Sequence, residues 1–176
     1  IENYLKSITN KGIRVIVLAT ANNDKFDELT LVGIICIKDE IRNEAVDAIK
    51  MINEAHIQTV MITGDNKETA LNIAKEVGLY KDNDVILTSD ELNNLSDIEI
   101  KNILPKLKVV ARALPQDKSR LVKIASSLGL VVGMTGDGVN DAPALKKADV
   151  GFSLGGGSEV CKEASKQEII RRYYQT

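Results

Sequence analysis

The sequence contains few of the residues on which several classes of protein depend. Aromatic residues make up 3% of the chain and tryptophan is absent, so the protein offers few surfaces on which nucleic-acid bases could stack. The formal net charge is −2, which gives no reason to expect nucleic acid or an anionic membrane as a partner. The composition therefore predicts a protein that does not bind nucleic acid.

Cysteines and long apolar runs are also scarce. The two cysteines, Cys36 and Cys161, lie far apart, which predicts unpaired thiols in a reducing compartment. No apolar run approaches the roughly 18 to 20 residues that a membrane helix needs, and no signal peptide opens the chain. From these two absences we expect a soluble, cytosolic piece. Because the sequence begins with Ile1 rather than Met, we expect this piece to be processed or excised from something longer.

The pattern of apolar residues predicts alternating strands and helices. The chain has 176 residues, of which 44% are apolar and 27% charged, enough for one domain or for a domain plus a fragment of a neighbour. Two β-rich runs, 13–20 and 29–37, predict a hairpin, and helices are expected at 2–9 and 42–53. After residue 56, strands are predicted at 57–63, 85–87, 108–111, 130–134 and 150–154, with helices at 67–77, 97–103, 115–128, after Pro143, and at about 158–166. Repeated strand-helix units predict a parallel, three-layer α/β sheet with right-handed crossovers.

The most informative stretch runs over residues 130–151. Its apolar start ends at Thr135-Gly-Asp-Gly, and a helix-competent segment follows with Pro143 in its first turn. Asp137 and Asp141 fall in the turn, at the carboxyl end of a predicted parallel strand, where open α/β sheets bind ligands. With the amide of Asn140, these carboxylates suit a divalent ion that keeps several waters. Alternatively, Asp141 only caps the helix and Asp137 only fills a turn.

A similar signature, Met61-Ile-Thr-Gly-Asp-Asn, follows an earlier predicted strand. The hydroxyl of Thr63 and nearby backbone N–H groups can donate to a phosphoryl oxygen, helped by the start of the next helix. The alternative is that Asp65 or Asn66 caps that helix and Thr63 is an ordinary strand residue.

Two cations follow the predicted strand at 108–111. Lys118, one turn into the next helix, would neutralise a phosphate as a point charge, or it is a solvated helix lysine. Arg112 either reaches the same cleft or pairs with Asp117. Since a parallel sheet brings its carboxyl ends to one edge, Lys118 is expected near Thr63 and the turn after residue 134.

Three motifs carry a resemblance to a known family. Residues 61–66 look like a TGDN segment, 111–118 like an ARxxPxxK segment, and 135–145 like a TGDGVNDAPAL hinge motif. Over residues 12–165 the chain resembles the phosphorylation domain of P-type cation ATPases, a branch of the haloacid dehalogenase superfamily with a Rossmann-like fold. Residues 146–151 and the long spacing between the first two motifs are most similar to type II calcium pumps, especially the plasma-membrane type.

The resemblance implies Mg²⁺ and ATP as cofactors and a role for each matching residue. Lys118 would balance the charge of the phosphoryl group, and Asp137 would hold Mg²⁺ with support from Asp141. The remaining residues implied in phosphate and nucleotide binding are Asp39, Arg42, Thr63, Gly64, Asp65, Arg112 and Asn140. Asp39 and Arg42 occupy the ends of the family's DPxR motif, whose proline is replaced here.

One family motif is absent: no Asp-Lys-Thr-Gly occurs in the chain. The resemblance then implies a part of the headpiece that lacks the strand carrying the nucleophilic aspartate and cannot form the covalent intermediate alone. Residues 1–37 would be the end of the nucleotide-binding domain and its hinge, 38–165 the C-terminal part of the phosphorylation domain, and 166–176 a tail. The implied partners are the nucleotide-binding, actuator and transmembrane domains, in a cytoplasmic part of an integral membrane protein. We expect the gap in the sheet to be closed by a shifted segment or by another chain.

Two other functions stay open. A free-standing phosphatase of the same superfamily needs an Asp-x-Asp motif after a strand, for which Asn23-Asp24 is a weak candidate. A regulatory or binding domain without a nucleophile is the third interpretation.

Overall fold

Within the residues that the structure describes, the strands form three separate sheets. The structure, a computed structural model, describes residues 2–9, 13–21, 28–38, 40–165 and 167–169. Its helices are α1 (Glu2–Thr9), α2 (Asn43–Glu54), α3 (Lys67–Glu76), α4 (Ser89–Asn93), α5 (Asp97–Ile103), α6 (Pro115–Ser127), α7 (Ala142–Lys147) and α8 (Glu159–Ala164). Its strands are β1 (Arg14–Ala21), β2 (Leu29–Ile37), β3 (Met61–Ile62), β4 (Val85–Thr88), β5 (Leu107–Ala111), β6 (Gly133–Gly136), β7 (Val150–Leu154) and β8 (Gln167–Ile169). Short 3-10 turns lie at Leu104–Lys106 and Val139–Asp141.

The first sheet is the predicted hairpin, in which β1 and β2 pair antiparallel with an irregularity between Leu18 and Ala19. Apolar side chains remain exposed on both strands, including Ile16, Val32 and Ile35. Two strands alone bury little apolar surface and are marginally stable in water. The hairpin therefore contributes less to the core than the sheets that follow.

The second sheet is parallel, with β5 between β3 and β4. Leu107, Val109 and Val110 of β5 are fully buried, as expected for a parallel strand covered on both faces. Leu121 and Ile124 of α6 pack on one face with α4 and α5. The small residues of α3 pack with β5 in a second cluster, which consists of Ala70, Ala74, Val77, Leu79, Val109 and Ala111.

The third sheet is also parallel, with β7 between β6 and β8. Helix α6 joins it to the second sheet, because Val122 packs against Ala144 and Ala148 of the α7 segment while other residues of α6 face the first core. Cys161, in α8, is buried and Cys36 is exposed, and both are free thiols.

The parallel α/β fold is confirmed, but the expected single sheet is divided in two. Among the described residues, β3 and β6 each form an edge with one neighbour. Strand β8 pairs with the far side of β7, so this part of the tail does not close the gap. None of the described helices has the length and apolar composition needed to span a bilayer.

Several boundaries differ from prediction for local reasons. Strand β3 has two residues instead of the predicted 57–63, since Ile57 is exposed and outside the ladder. Strand β6 starts at Gly133 rather than 130, because its ladder with β7 begins there while Leu130 and Val131 are exposed. Helix α4 replaces a predicted loop: Thr88 and Glu91 form a reciprocal capping box at its start.

Candidate functional site

The turn after β6 is built around the carboxylate of Asp141. Its Oδ2 accepts hydrogen bonds from the backbone N–H groups of Asp137 and Gly138, each at 3.2 Å. This approach needs a glycine at 136, since a Cβ there would lie 2.8 Å from Cγ and Oδ2 of Asp141 and closer still to its Cβ. Asp141 does not cap α7 with its side chain; it holds the turn that precedes α7.

The other oxygen of Asp141 meets Lys118. The Nζ of Lys118 donates to Oδ1 of Asp141 at 2.5 Å, and the side chains are 20% and 7% exposed, respectively. Burial raises the pKa of Asp141, but the hydrogen bonds from Lys118, Gly138 and Asp137 and the charge of Lys118 outweigh it and lower that pKa below its usual value. Lys118 is thus not a solvated helix lysine.

Asp137 and Asn140 lie on the outer side of the same turn and are exposed. The carbonyl of Asp137 accepts the N–H of Ser158 at 2.9 Å, and a Cβ at Gly157 would lie 3.1 Å from that oxygen. The glycine-rich segment after β7 therefore packs directly beneath Asp137 and fixes its backbone.

The donor set of this turn suits magnesium better than a metal that needs a protein cage. Within the described residues, no three His, Cys, Asp or Glu side chains cluster around one point. Both oxygens of Asp141 are already engaged, whereas Asp137 and the amide of Asn140 face outward. Mg²⁺ keeps several waters and binds through one or two carboxylates plus phosphate oxygens, so Asp137 fits it as the direct ligand.

Thr63 follows β3 and forms a compact turn with Asp65. Its hydroxyl donates to Oδ2 of Asp65 and accepts the N–H of Asp65, both at 3.1 Å. Asn66 caps α3 by accepting the N–H of Thr69 at 2.8 Å, so the capping alternative is confirmed for Asn66. Gly64 is exposed and no atom lies within 4 Å of an added Cβ, which leaves its backbone accessible.

The backbone links this turn to the loop before α6. The N–H of Ala113 donates to the carbonyl of Thr63 at 2.9 Å, and the N–H of Arg112 donates to the carbonyl of Asp65 at 2.8 Å. Arg112 is exposed and has φ = 49°, a left-handed conformation that is uncommon outside glycine. Its side chain does not form the predicted alternative pair with Asp117, which is fully buried with other partners.

Only one of the two residues at the ends of the DPxR-like segment lies within the described part of the chain. Arg42 is exposed and precedes α2 as its N-cap, while Asp39 lies outside the described residues. The structure brings together Lys118, Asp141 and Asp137, and it connects Thr63 through Ala113 to the loop before α6, the helix that carries Lys118.

Sequence reasoning did not identify the contacts of Asp117. This carboxylate accepts hydrogen bonds from Ser89, Asn93 and the N–H of Leu114. Its position two residues after Pro115 is a recognisable signal, since Pro at the first helical position and an acidic residue at the third mark a helix start. The partner segment, α4, was predicted as a loop, so the contact could not be foreseen.

Comparison with known proteins identifies a family and a set of relatives for this chain. A family model described as "Hydrolase: haloacid dehalogenase-like hydrolase" matches residues 2–149. The chain is 44% identical over 139 residues to calcium-transporting ATPase 1 of Lactococcus lactis, covering 79% of this chain and 16% of that protein. It is 47% identical over 143 residues to calcium-transporting ATPase 2 of Schizosaccharomyces pombe, covering 81% and 11%.

A plant relative matches almost the entire chain. The probable calcium-transporting ATPase 6, plasma membrane-type, of Oryza sativa is 38% identical over 184 residues, covering 99% of this chain and 18% of that protein. The resemblance drawn from the three motifs is therefore confirmed. This chain spans less than a fifth of the length of these relatives.

Proposed function

Because the chain belongs to the haloacid dehalogenase-like hydrolase family, we propose that it is a phosphorylation-domain segment of an ATP-driven calcium pump that binds Mg²⁺ and the γ-phosphoryl group of ATP. The observation that carries the proposal is the partly buried pair of Lys118 and Asp141 at the carboxyl end of β6. The carboxylate of Asp141 holds the ammonium of Lys118 and also orders the turn that contains Asp137. A cation suited to phosphate and a ligand suited to Mg²⁺ therefore lie in one site.

Each residue of the site would act in a distinct way. The ammonium of Lys118 offsets charge on the phosphoryl oxygens. Asp141 holds both that ammonium and the backbone of the turn, and Asp137, with Asn140 beside it, binds the metal. The hydroxyl of Thr63 and the N–H of Gly64 donate to the phosphoryl group once the bond to Asp65 is exchanged. Bound Mg²⁺ supplies further neutralisation of the phosphate charge.

The chain alone would bind without turnover, since its sequence lacks the Asp-Lys-Thr-Gly nucleophile. We assign residues 1–37 to the end of a nucleotide-binding domain and hinge, 38–165 to the C-terminal part of the phosphorylation domain, and 166–176 to a tail. The intact protein would be a membrane pump with nucleotide-binding, actuator and transmembrane domains, and this part would lie in the cytoplasm. Calcium as cargo is supported by the names of the relatives.

Calorimetric titration with Mg²⁺ and orthovanadate, a phosphate analogue, tests the site. The parent chain should bind, and Asp137→Asn should lower the affinity by about 10-fold or more because the metal loses its carboxylate. Asp82→Asn is a matched control, because Asp82 is an exposed acid in the loop before β4, at the opposite end of the strands. Equal affinity of Asp137→Asn and the parent would contradict the metal assignment.

Labelled ATP tests the predicted lack of turnover. We expect no phosphoenzyme after incubation of the chain with ATP, Mg²⁺ and Ca²⁺. A hydroxylamine-sensitive phosphoenzyme would disprove this part of the proposal. Turnover of a phosphate ester that Asp24→Ala abolishes would instead support the free-standing phosphatase; Asp24 lies outside the described residues.

The open edges of the two parallel sheets also support self-association of the isolated chain. Strands β3 and β6 each pair on one side within the described part of the chain, and Val131, just before β6, is 83% exposed. Unpaired edges and exposed apolar groups favour pairing with another chain. Light scattering should show dimers or larger species as the concentration rises, and a monomer at all concentrations would refute this expectation.

A further inference from the structure

A buried carboxylate lies beside the site but has no role in the chemistry proposed above. Asp117, in the first turn of α6, is fully buried. Its Oδ2 accepts hydrogen bonds from the hydroxyl of Ser89 at 2.6 Å and the N–H of Leu114 at 2.8 Å. Its Oδ1 accepts one from the side-chain amide of Asn93 at 3.2 Å. Burial of a charged group is costly unless donors satisfy it, and three donors do so here.

The donors come from two places in the fold. Leu114 immediately precedes α6, so this bond caps the helix that contains Asp117 itself. Ser89 and Asn93 belong to α4, which follows the neighbouring strand β4. The carboxylate therefore ties the start of α6 to the helix after the adjacent strand, at the carboxyl end of the second sheet.

One turn further along, Arg120 makes a second tie to the same segment. Its guanidinium donates to the carbonyls of Leu92 and Leu95 at 3.1 and 2.7 Å, and to the carboxylate of Asp97 at 2.8 Å. Asp117 and Arg120 are three residues apart and so lie on the same side of α6. Together they fix both the rotation and the position of the first two turns of the helix.

Lys118 lies between Asp117 and Arg120 in the chain, but its side chain faces a different neighbour. Successive residues of an α-helix are about 100° apart around its axis, so a helix held through Asp117 presents Lys118 on an adjacent face, towards Asp141 of the third sheet. The bond from Nζ of Lys118 to Oδ1 of Asp141 links α6, which packs on the second sheet, to the turn that follows β6 of the third. A small rotation of α6 would move the ammonium away from that carboxylate.

We propose that Asp117 is a positioning residue that fixes α6 against α4, so that Lys118 reaches Asp141 and the phosphate site. The inference rests on the proposed function for the role of Lys118 towards phosphate, while the positioning itself can be observed without any ligand. Asp117 touches neither the metal nor the phosphate. Its effect passes through the direction of the Lys118 side chain.

NMR of the free chain gives a readout that a loss of stability alone would not move. The N–H groups of Asp137 and Gly138 bond to the carboxylate that Lys118 also contacts, so their amide resonances should shift in Lys118→Met. Asp117→Ala should move these resonances in the same direction as Lys118→Met. Ile100→Val, a buried change in the core where α4, α5 and α6 meet, is the control for destabilisation and should leave them in place.

Exchanging the carboxylate of Asp117 and the amide of Asn93 tests whether their contact can be restored in reverse. Asp117→Asn places an amide opposite the amide donor of Asn93 and should shift the two resonances. The double variant Asp117→Asn with Asn93→Asp restores one donor and one acceptor, with the charge now at the more exposed position. The double variant should recover the parent resonances. Asp117→Ala should lower the affinity for Mg²⁺ with orthovanadate about 10-fold, as is typical when a group that orients a metal site is lost. The double variant should also recover most of that affinity.

Two results would overturn the positioning role. The first is parent-like Asp137 and Gly138 resonances in Asp117→Ala, and the second is a double variant that behaves no better than Asp117→Asn. If Asp117→Ala does not fold, Ser89→Ala and Asn93→Ala each remove a single donor and decide the question through the same resonances. Absence of vanadate binding in the parent chain would count against the proposed function alone, because the amide resonances are read without ligand.

Discussion

The central strands of the two parallel sheets are filled in different ways. In β5, Leu107, Val109 and Val110 are fully buried, and Leu107 and Val110 lie among large apolar side chains. In β7 the buried residues are Gly151 and Ser153, and a Cβ on Gly151 would lie 3.0 Å from a backbone carbonyl. The central strand of the second sheet thus contributes large side chains to its core, whereas the central strand of the third permits close backbone approach.

The second sheet contributes mainly to stability, whereas the third presents the candidate site. The turn that presents Asp137 and Asp141 belongs to the third sheet, while Lys118 extends to it from a helix anchored on the second. Substitutions in the second sheet should therefore lower stability, and substitutions in the third should mainly change binding.

The largest effect is expected for Leu107→Ala in β5. Leu107 is fully buried, and truncation of such a residue removes apolar contacts and leaves a cavity, at a cost of about 2 to 5 kcal/mol in the free energy of unfolding. Urea denaturation measures this change. Ile98→Ala in α5 is the control, because Ile98 is 72% exposed and its truncation should change stability by less than about 0.5 kcal/mol. Similar losses of stability in the two variants would contradict the view that the buried side chains of β5 stabilise the second sheet.

A smaller loss of stability with a clear loss of binding is expected for Gly136→Ala in β6. The added methyl would displace Asp141, as the distances at that position require, and overpacking of this kind costs about 1 to 3 kcal/mol. Affinity for Mg²⁺ with orthovanadate should fall at the same time, because Asp141 orders both Lys118 and the turn. Gly138→Ala is the matched control: its methyl would lie 3.7 Å from Oδ2 of Asp141, an ordinary contact, so parent-like binding is expected.

The smallest effect concerns the dependence of stability on pH. The pKa of Asp141 is lowered from its ordinary value of 3.8, so its contribution to stability is present above about pH 4 and is lost as the pH falls through the folded-state value. Asp141→Asn should therefore lose less stability than the parent on acidification below pH 4, measured by urea denaturation. Lys118→Met should flatten the curve in the same way, since it removes a donor to that carboxylate. A parent-like slope in both variants would show that this pair does not link the sheets energetically.

The fold could be predicted from the sequence wherever a pattern is local. Alternating strands and helices, the hairpin and the glycine that ends α3 follow from apolar spacing and turn residues. The extent of β3 could not be predicted, because the apolar residues before Met61 read as a strand whether or not a neighbour pairs with them. Helix α4 was missed because five residues are too few to show a helical period, although Thr88 and Glu91 carry its capping signature.

The site was predicted in part for the same reason. Thr63, Lys118, Asp137 and Asp141 could be chosen as candidates because strand ends share one edge of a parallel sheet. The partners of those residues were not accessible, since Asp117 shares no local pattern with Ser89 or Asn93, which lie on another helix.

The sequence alone thus determined the family, most of the elements and the candidate residues of the site, because motifs, periodicity and capping depend on neighbours in the chain. Only the tertiary structure decided that both oxygens of Asp141 are engaged, that Lys118 of α6 reaches Asp141 in the turn after β6, and that Asp117 accepts hydrogen bonds from α4. These are contacts between segments more than twenty residues apart or details of one tight turn, and such contacts depend on how packed elements meet in space rather than on residue type.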